Sequence, residues 1–526
     1  MTYLAIPISA QDLDGAREQV KDAIRAGADM VELRTDYLDC LDRDAVTTLI
    51  AEVRHAGQGR VPVIVTCRDP SEGGARPYPR ELRTLILLQA IEAGADFIDL
   101  EYRHFVRPEI GSSIQRALAG QSKSRLILSA HDFARRFPDI RRLYRDIRVA
   151  CPAAIPKLVY TAGHINDCFE ALDLLYETEG DRIVLSMGEA GIIGRILAKK
   201  LRGLVTFASI DKQAATAPGQ LTIEALKALY RYDAIDAQTE LFGVIADPVG
   251  HSLSPAIHNA CFAQAGMNRL YLPLLVQGGQ QELDAFLDNV LARPWLDFRG
   301  FSVTIPHKHS ALEYVRRSGG FIEPLADKIG AANTLLIEPR ATSDERRLCA
   351  YNTDYAGALD AITQGMGIER TGLRNIPVAV VGAGGVSRAI VAGLTDAGAK
   401  ITIYNRTVER AEELATEFGC QAAGLDKLPH LDAKVLVNCT SIGMYPHVAA
   451  TPVPSECLRS DMTVFDTVYN PAETLLLKQA KEKGAKTIDG IAMFVNQAAA
   501  QFRLFTGQSA NTSLMREVVC DTLNGK

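Results

Sequence analysis

The chain is 526 residues long, 47 % hydrophobic and 23 % charged, with a formal net charge of -6, which suits about two to four soluble domains and offers neither a cationic field nor an aromatic-studded basic run for nucleic acid. No window approaches ~18 uninterrupted apolar residues, and MTYLAIPISAQD lacks a basic stretch followed by a long apolar one, so no membrane association and a cytoplasmic protein are expected. Ten cysteines without a single C-x-x-C pair argue against a metal site or a redox dithiol.

In chain order, YLAIPI, MVELRTDY, VPVIVTCR, FIDLEY, RLILSAHDF, IPKLVYTA, RIVLSMG and LVTFASI read as strands separated by helical segments. Strands alternating with helices imply parallel βαβ units, and eight of them in one α/β domain predict a (β/α)8 barrel. Chemistry in such barrels collects at the C-terminal ends of strands, and Glu32, Arg34, Arg68, His131, Lys157 and Arg195 are expected there, late in their runs. Glu32 and Arg34, two apart, share a face as an ion-paired or ligand-binding couple. Lys157 shares a face with Ile155 and Val159. It is either a lysine snorkelling to water or one whose desolvation favours the neutral amine that attacks a ketone to form a Schiff base. His131 lies on the preceding strand, about 4.8 Å away, where an imidazole can exchange protons with an imine or the carbon beside it. TCRDPSEGG adds Glu72; a carboxylate bonded to a histidine fixes its tautomer and raises its pKa.

Through VELRTDYL, TCRDPSEGG, SAHDF, IPKL, SMGEAGIIGR and TAPGQ, in that order, residues 1–237 resemble the type I 3-dehydroquinate dehydratases, the Schiff-base class. The resemblance implies that Lys157 is the imine lysine, His131 the general acid/base and Glu72 the carboxylate that orients it. Glu32, Arg34, Arg68, Arg195, Thr216 and Gln220 match substrate-binding positions, with Arg68 or Arg195 suited to a carboxylate by its bidentate fork. Thr216 stands where some members have serine.

In the second half, IPVAVVGAGGVSRAIVAGLTDAGAKITIYNRT is a strand, a glycine turn, a helix and a second strand, the context of a dinucleotide site. Gly382 and Gly384 hold the first two glycine positions and Ser387 the third, with pyrophosphate expected on the helix N-terminus. The second strand ends in Asn405-Arg406-Thr407, where an NAD site would usually offer an acid. Arg406, with Arg410 one helical turn on, presents positive charge to a 2'-phosphate, so the expected cofactor is NADP.

GVIADPVGHSLSP, GFSVTIPHK, AANTL, YNTDYAG, NCTSIGM, FDTVYNP and DGIAMFVNQAA make residues 241–526 resemble the shikimate dehydrogenases. Within a second half running 238–526, the resemblance implies a substrate lobe over about 241–340 joined by C-terminal helices 489–526, and an NADP lobe over about 355–488. Ser252 and Ser254, two apart in an extended loop, would face a ligand carboxylate. Thr304, Asn333, Gln497 and Tyr469 would hold ring hydroxyls. Lys308 and Asp354 match the catalytic pair, and Gly385, Val386 and Thr440 join the cofactor set.

The product of the first reaction is the substrate of the second, which implies a bifunctional shikimate-pathway enzyme acting on 3-dehydroquinate, 3-dehydroshikimate and shikimate. Two other readings compete. A quinate dehydrogenase fused to a dehydratase would differ in ring-hydroxyl contacts and cofactor. A metabolite-sensing regulator would tend to lose Lys157, His131, Lys308 and Asp354, all present here.

Overall fold

The computed structural model describes residues 2–120, 123–339 and 346–525. By spatial contacts the chain divides into two units, one of Met1–Glu240 with Leu272–Gly278 and Ala285–Asp297, the other of Leu241–Tyr271, Gly279–Asp284 and Phe298–Lys526.

The eight runs of the first half all form strands: β1 (Tyr3–Ile8), β2 (Met30–Arg34), β3 (Val63–Thr66), β4 (Phe97–Glu101), β5 (Arg125–Asp132), β6 (Ile155–Thr161), β7 (Ile183–Met187) and β8 (Val205–Phe207). They pair in parallel in the order β7-β6-β5-β4-β3-β2-β1-β8, a (β/α)8 barrel whose ladder is continuous except between β7 and β8.

The strand period of two fixes what lies inside. Ala5, Met30, Ile64, Phe97, Ile127, Ile155, Ile183 and Val205 belong to one buried cluster, each large member contributing roughly 1.5–3 kcal/mol by leaving water. Two residues further along, the same inward rows become polar: Met30 leads to Glu32 and Arg34, Phe97 to Asp99 and Glu101, Ile127 to Ser129 and His131, and Ile155 to Lys157. The apolar plug is therefore the floor of a polar chamber. Lys157 is the third of seven residues in β6 and not late in its run, because a single plug residue beneath it suffices to lift it to the chamber. Two arginines also depart from the expected pattern: Arg68 lies two residues beyond β3, and Arg195 is on the short helix Ile192–Leu197. The chain leaves β7 so tightly that a Cβ on Gly191 would meet the Met187 carbonyl oxygen at 2.4 Å, and the helix starts at once.

The second half of the chain forms two sheets. The first contains β9 (Glu240–Ala246), β10 (Arg269–Leu275), β11 (Phe298–Val303), β12 (Phe321–Ile322), β13 (Thr334–Pro339) and β14 (Arg346–Tyr351), in the order β10-β9-β11-β13-β14-β12. The second contains β15 (Pro377–Val381), β16 (Lys400–Asn405), β17 (Gln421–Gly424), β18 (Val435–Asn438), β19 (Thr463–Asp466) and β20 (Lys486–Ile488). It is all parallel, with the order β17-β16-β15-β18-β19-β20, the doubly wound arrangement whose switch point lies between β15 and β18. Val378 and Val380 enter one buried cluster, Ala379 and Val381 the other. With both faces covered, PVAVV reads as a continuous apolar run. The helix Gly490–Thr506 returns to pack on the helix Thr353–Met366.

Candidate active sites

One pocket in the barrel gathers Glu32, Arg34, Arg68, Glu72, His131, Lys157, Arg195, Thr216 and Gln220, every residue expected there, together with Phe133 and Phe207. Asp69 caps the short turn Pro70–Glu72 by accepting from Ser71 N, which delivers Glu72 to His131. Glu72 Oε2 accepts from both His131 N at 3.0 Å and Nδ1 at 3.1 Å. Lys157 Nζ lies 2.7 Å from Asp99 Oδ2, 3.6 Å from Glu32 Oε1 and 4.6 Å from the centre of the Phe207 ring. The lysine is buried as expected, yet its head meets carboxylates, not an apolar wall.

Two electrostatic expectations change as well. Arg34 pairs bidentately with Asp36 at 2.9 and 2.8 Å, while Glu32 accepts from Thr66 Oγ1 at 2.7 Å; the couple two apart in sequence is not an ion pair, because Asp36 turns back beneath Arg34. The pKa of His131 is lowered well below the usual histidine value, first by burial and then by the charges of Arg68 and Lys157, not raised by its carboxylate. Burial pushes the Glu72 carboxyl up to about 7. Burial therefore favours the neutral forms of both partners, the imidazole of His131 and the carboxyl of Glu72.

Arg68 is engaged by Asp99 at 2.9 Å, Glu101 at 3.1 Å and Ser129 Oγ at 2.7 Å. Arg195 is 2 % exposed, and among the described residues it has no carboxylate within ion-pair distance. It makes one 3.4 Å bond to Pro218 O, its Nε has no partner, and burial brings its pKa down to about 10. A buried guanidinium left this way is built to receive an anion. Gln220 Oε1 accepts from Thr216 N and Oγ1 at 2.8 and 3.2 Å, tying the loop that brings both into the pocket.

The second unit holds a cleft of about 420 Å³, ample for a single-ring ligand, lined by Ser252, Ser254, Thr304, Lys308, Asn333, Asp354, Val386, Tyr469 and Gln497, among others. Asn352 caps the helix Thr353–Met366 and fixes Asp354 in its first turn. Lys308, first residue of the helix Lys308–Arg317, places Nζ 2.6 Å from Asp354 Oδ2. Asn333 donates to Asp354 Oδ1 at 2.9 Å, so the carboxylate is held from both sides. Ser252 and Ser254 both reach the cleft, but Ser254 opens the helix Ser254–Gln264 instead of continuing an extended loop, with Pro255 suited to its first turn. Tyr469 stacks on Phe494 with centroids 5.1 Å apart.

The strand ends at the switch point bring the remaining residues together. Gly382 has φ +111, which favours glycine, and Ser387 Oγ accepts from Gly384 N at 3.2 Å, so the serine in the third position closes the turn. A Cβ on Gly384 or Gly385 would meet nothing within 4 Å. That open space lies at the N-terminus of the helix Gly385–Asp396, where a pyrophosphate fits. Val381 pairs in register with Tyr404 and with Asn438, so Asn405 and Thr440 flank the glycine turn. Asn405 donates to Thr407 O and Thr440 is held by Asn438. Arg406 and Arg410 are exposed and, among the described residues, have no ion-pair partner. These features fit a dinucleotide carrying an extra phosphate.

The family model for type I 3-dehydroquinase matches residues 4–237. Models for the shikimate dehydrogenase substrate-binding domain, for shikimate/quinate 5-dehydrogenase and for the shikimate 5'-dehydrogenase C-terminal domain match residues 244–335, 368–450 and 490–520. A chloroplastic bifunctional 3-dehydroquinate dehydratase/shikimate dehydrogenase of Arabidopsis thaliana is 36 % identical over 533 residues, 98 % of this chain and 84 % of that protein. The chain belongs to this bifunctional dehydratase/dehydrogenase family. An NADP(+) shikimate dehydrogenase of Methanosarcina mazei is 42 % identical over 54 % of this chain and 99 % of its own. The solved structure of a Thermus thermophilus shikimate 5-dehydrogenase with NADP(H) and shikimate is 35 % identical, covering 53 % of this chain and 98 % of that one with a TM-score of 0.46.

The dehydratase half thus precedes the dehydrogenase half, a lyase and an oxidoreductase in one chain, and among the described residues no helix is long and apolar enough to cross a membrane. Sequence reasoning missed Asp99, Glu101 and Ser129 in the dehydratase half. FIDLEY carries two acids two apart among apolar residues, a signal that could have found the first two. It also missed the buried chain in the dehydrogenase half running from Tyr271 OH to Ser302 Oγ at 2.6 Å and on to Gln501 Oε1 at 2.8 Å. Gln501 lies four residues, one helical turn, beyond Gln497 and so shares its face.

Proposed function

We propose that the barrel dehydrates 3-dehydroquinate to 3-dehydroshikimate through a Schiff base on Lys157, and that the second half reduces this product to shikimate with NADPH. The observation that carries the first step is one pocket holding a buried amine, an imidazole with a lowered pKa and an uncompensated guanidinium. The C3 ketone condenses with Lys157 Nζ and loses water. The cationic imine accepts the electron pair released when His131 takes the C2 proton, and His131 returns that proton to the C1 hydroxyl, which departs as water. A second water hydrolyses the product imine, breaking C=N to free the C3 ketone and Lys157. Glu72, accepting from Nδ1, leaves Nε2 as the basic nitrogen. Arg195 takes the substrate carboxylate, whereas Arg68 is occupied by Asp99 and Glu101 and acts through the field of the site. Glu32, Arg34, Thr216 and Gln220 hold the ring hydroxyls.

Lys308 at 2.6 Å from Asp354 supports the second step. The glycine turn, Asn405, Arg406, Thr407, Arg410 and Thr440 would hold the cofactor, which supplies a hydride when bound. The NADP(+) dependence named for the archaeal relative and the two unpaired arginines support NADP over NAD. Lys308 stabilises the charge growing on the ketone oxygen and donates the proton, and Asp354 holds a ring hydroxyl and keeps Lys308 in place. Ser252 and Ser254 take the carboxylate; Thr304, Asn333, Tyr469 and Gln497 take the other hydroxyls. We set the boundary between the halves at 237/238, and ten free thiols support a reducing, cytoplasmic setting.

Borohydride added with 3-dehydroquinate should leave a covalent adduct on Lys157. An adduct on Lys123 or Lys212, or none, would overturn the Schiff-base reading.

A further inference from the structure

Asp99 sits on β4 directly beneath the dehydratase pocket, with 1 % of its surface exposed, and it does not line the pocket. Its carboxylate is fully used. Oδ2 accepts from Lys157 Nζ at 2.7 Å. Oδ1 is 2.9 Å from Arg68 Nη2 and accepts from Ser129 Oγ at 2.6 Å. Arg68 is held in turn by Glu101, so Arg68 and Ser129 fix Oδ1 and leave Oδ2 aimed at Lys157. We propose that Asp99 is a positioning residue and fixed countercharge for the Lys157 nitrogen, matched to its ammonium in the free enzyme and to the protonated imine after condensation.

The charge balance supports this role, which rests on the Schiff-base reading above. Ammonium and ketone give protonated imine and water. Of the three hydrogens on nitrogen, one stays and two leave in the water, the C–O bond breaks as C=N forms, and the nitrogen carries one positive charge before and after. A carboxylate at hydrogen-bond distance therefore faces the same charge in both states; the attacking amine and the carbinolamine between them, and the enamine formed on loss of the C2 proton, are neutral. Burial alone would raise the Asp99 carboxyl, but Arg68, Lys157 and His131 outweigh it and hold it below the usual carboxylate range. The countercharge is thus present throughout. Glu32, 3.6 Å from the same nitrogen, lies farther off than Asp99 and lines the pocket.

The test uses the full chain and borohydride, which reduces the imine and not the enamine, so the trapped fraction reads the imine population. Asp99→Asn should lower dehydration kcat by about 100-fold, the scale of a lost preorganised electrostatic contact, leave KM for 3-dehydroquinate within about threefold, and reduce the trapped Lys157 adduct at fixed borohydride exposure to a minority of chains. Asp99→Glu should recover part of the trapped fraction, because it restores the charge. Wild-type trapping and turnover in Asp99→Asn would overturn the inference, as would a loss of kcat with adduct formation unchanged. If Asp99→Asn unfolds the barrel, seen as lost ellipticity with shikimate dehydrogenation intact, Ser129→Ala carries the test. It should cut trapping and kcat by about tenfold at unchanged KM, and unaltered trapping would overturn the inference. No adduct on Lys157 in the unaltered enzyme would instead overturn the Schiff-base reading itself.

Discussion

Burial lifts the Glu72 carboxyl to about 7, while burial and the charges of Arg68 and Lys157 hold His131 well below the usual histidine value. Ionised, Glu72 accepts from Nδ1 and leaves Nε2 free to take a proton; protonated, it donates to Nδ1 and forces the proton onto Nε2. The active form is the ionised one, so dehydration kcat/KM should fall as pH drops through about 7. Glu72→Gln should lower the rate and flatten that limb, and an acid limb that survives in the variant would assign it to another group. Two of the buried arginines, Arg195 and Arg68, separate function from structure. Arg195→Met removes an uncompensated cation, so it should leave Tm unlowered while raising KM for 3-dehydroquinate by at least about 30-fold, the scale of a lost charged pair. Arg68→Met removes the buried cation that Asp99 and Glu101 share and should cost about 3–5 kcal/mol of stability. A destabilised Arg195→Met, read by calorimetry, would count against the ligand role. Lys157, His131 and Glu72 were legible in the sequence because their motifs carry them. The lowered pKa of His131 was not, since it depends first on burial and then on the charges of Arg68 and Lys157, which other parts of the barrel bring to it.

Glycines at two helices show how an element's surroundings decide what a methyl group does. At the N-terminus of the helix Gly385–Asp396, a Cβ on Gly384 would stand in open space at φ -95. Gly384→Ala should therefore keep Tm within about 2 °C and raise KM for NADPH by about tenfold or more, because the methyl occupies the room a pyrophosphate needs. At the crossing of the helices Thr353–Met366 and Gly490–Thr506, a Cβ on Gly357 would lie 2.7 Å from Gln497 N. Gly357→Ala should cost about 1–3 kcal/mol by overpacking, seen in denaturant unfolding. Arg406, after β16, should matter to the cofactor's identity: Arg406→Ala should raise KM for NADPH far more than for NADH, and equal use of both by the unaltered enzyme would contradict the NADP reading. The barrel strands and the first two strands of the dinucleotide lobe were the most legible elements, since short apolar, β-rich runs bounded by turn residues mark them. Short helices were not. Ser254 and Arg195 fall on helical turns whose starts depend on Pro255 and on the tight exit at Gly191, local geometry that periodicity does not register.

Each unit carries the groups that its proposed chemistry calls for, and among the described residues none that lines either pocket comes from the other unit. Lys157→Ala should therefore abolish dehydration while leaving reduction of supplied 3-dehydroshikimate within about twofold, and Lys308→Ala should do the reverse, acting mainly on kcat. Loss of both activities in a folded Lys157→Ala variant would mean coupling between the halves. At this scale the division into a barrel and a two-lobed half was legible from the motif order. The grouping of Leu272–Gly278 and Ala285–Asp297 with the barrel was not, because spatial neighbours far apart in sequence leave no local pattern. The most direct test of the whole account is one assay with 3-dehydroquinate and NADPH as the sole substrates. The account predicts one NADPH oxidised and one shikimate formed per 3-dehydroquinate consumed, with NADPH loss in Lys157→Ala appearing only when 3-dehydroshikimate is added. Accumulation of 3-dehydroshikimate without NADPH oxidation would contradict it.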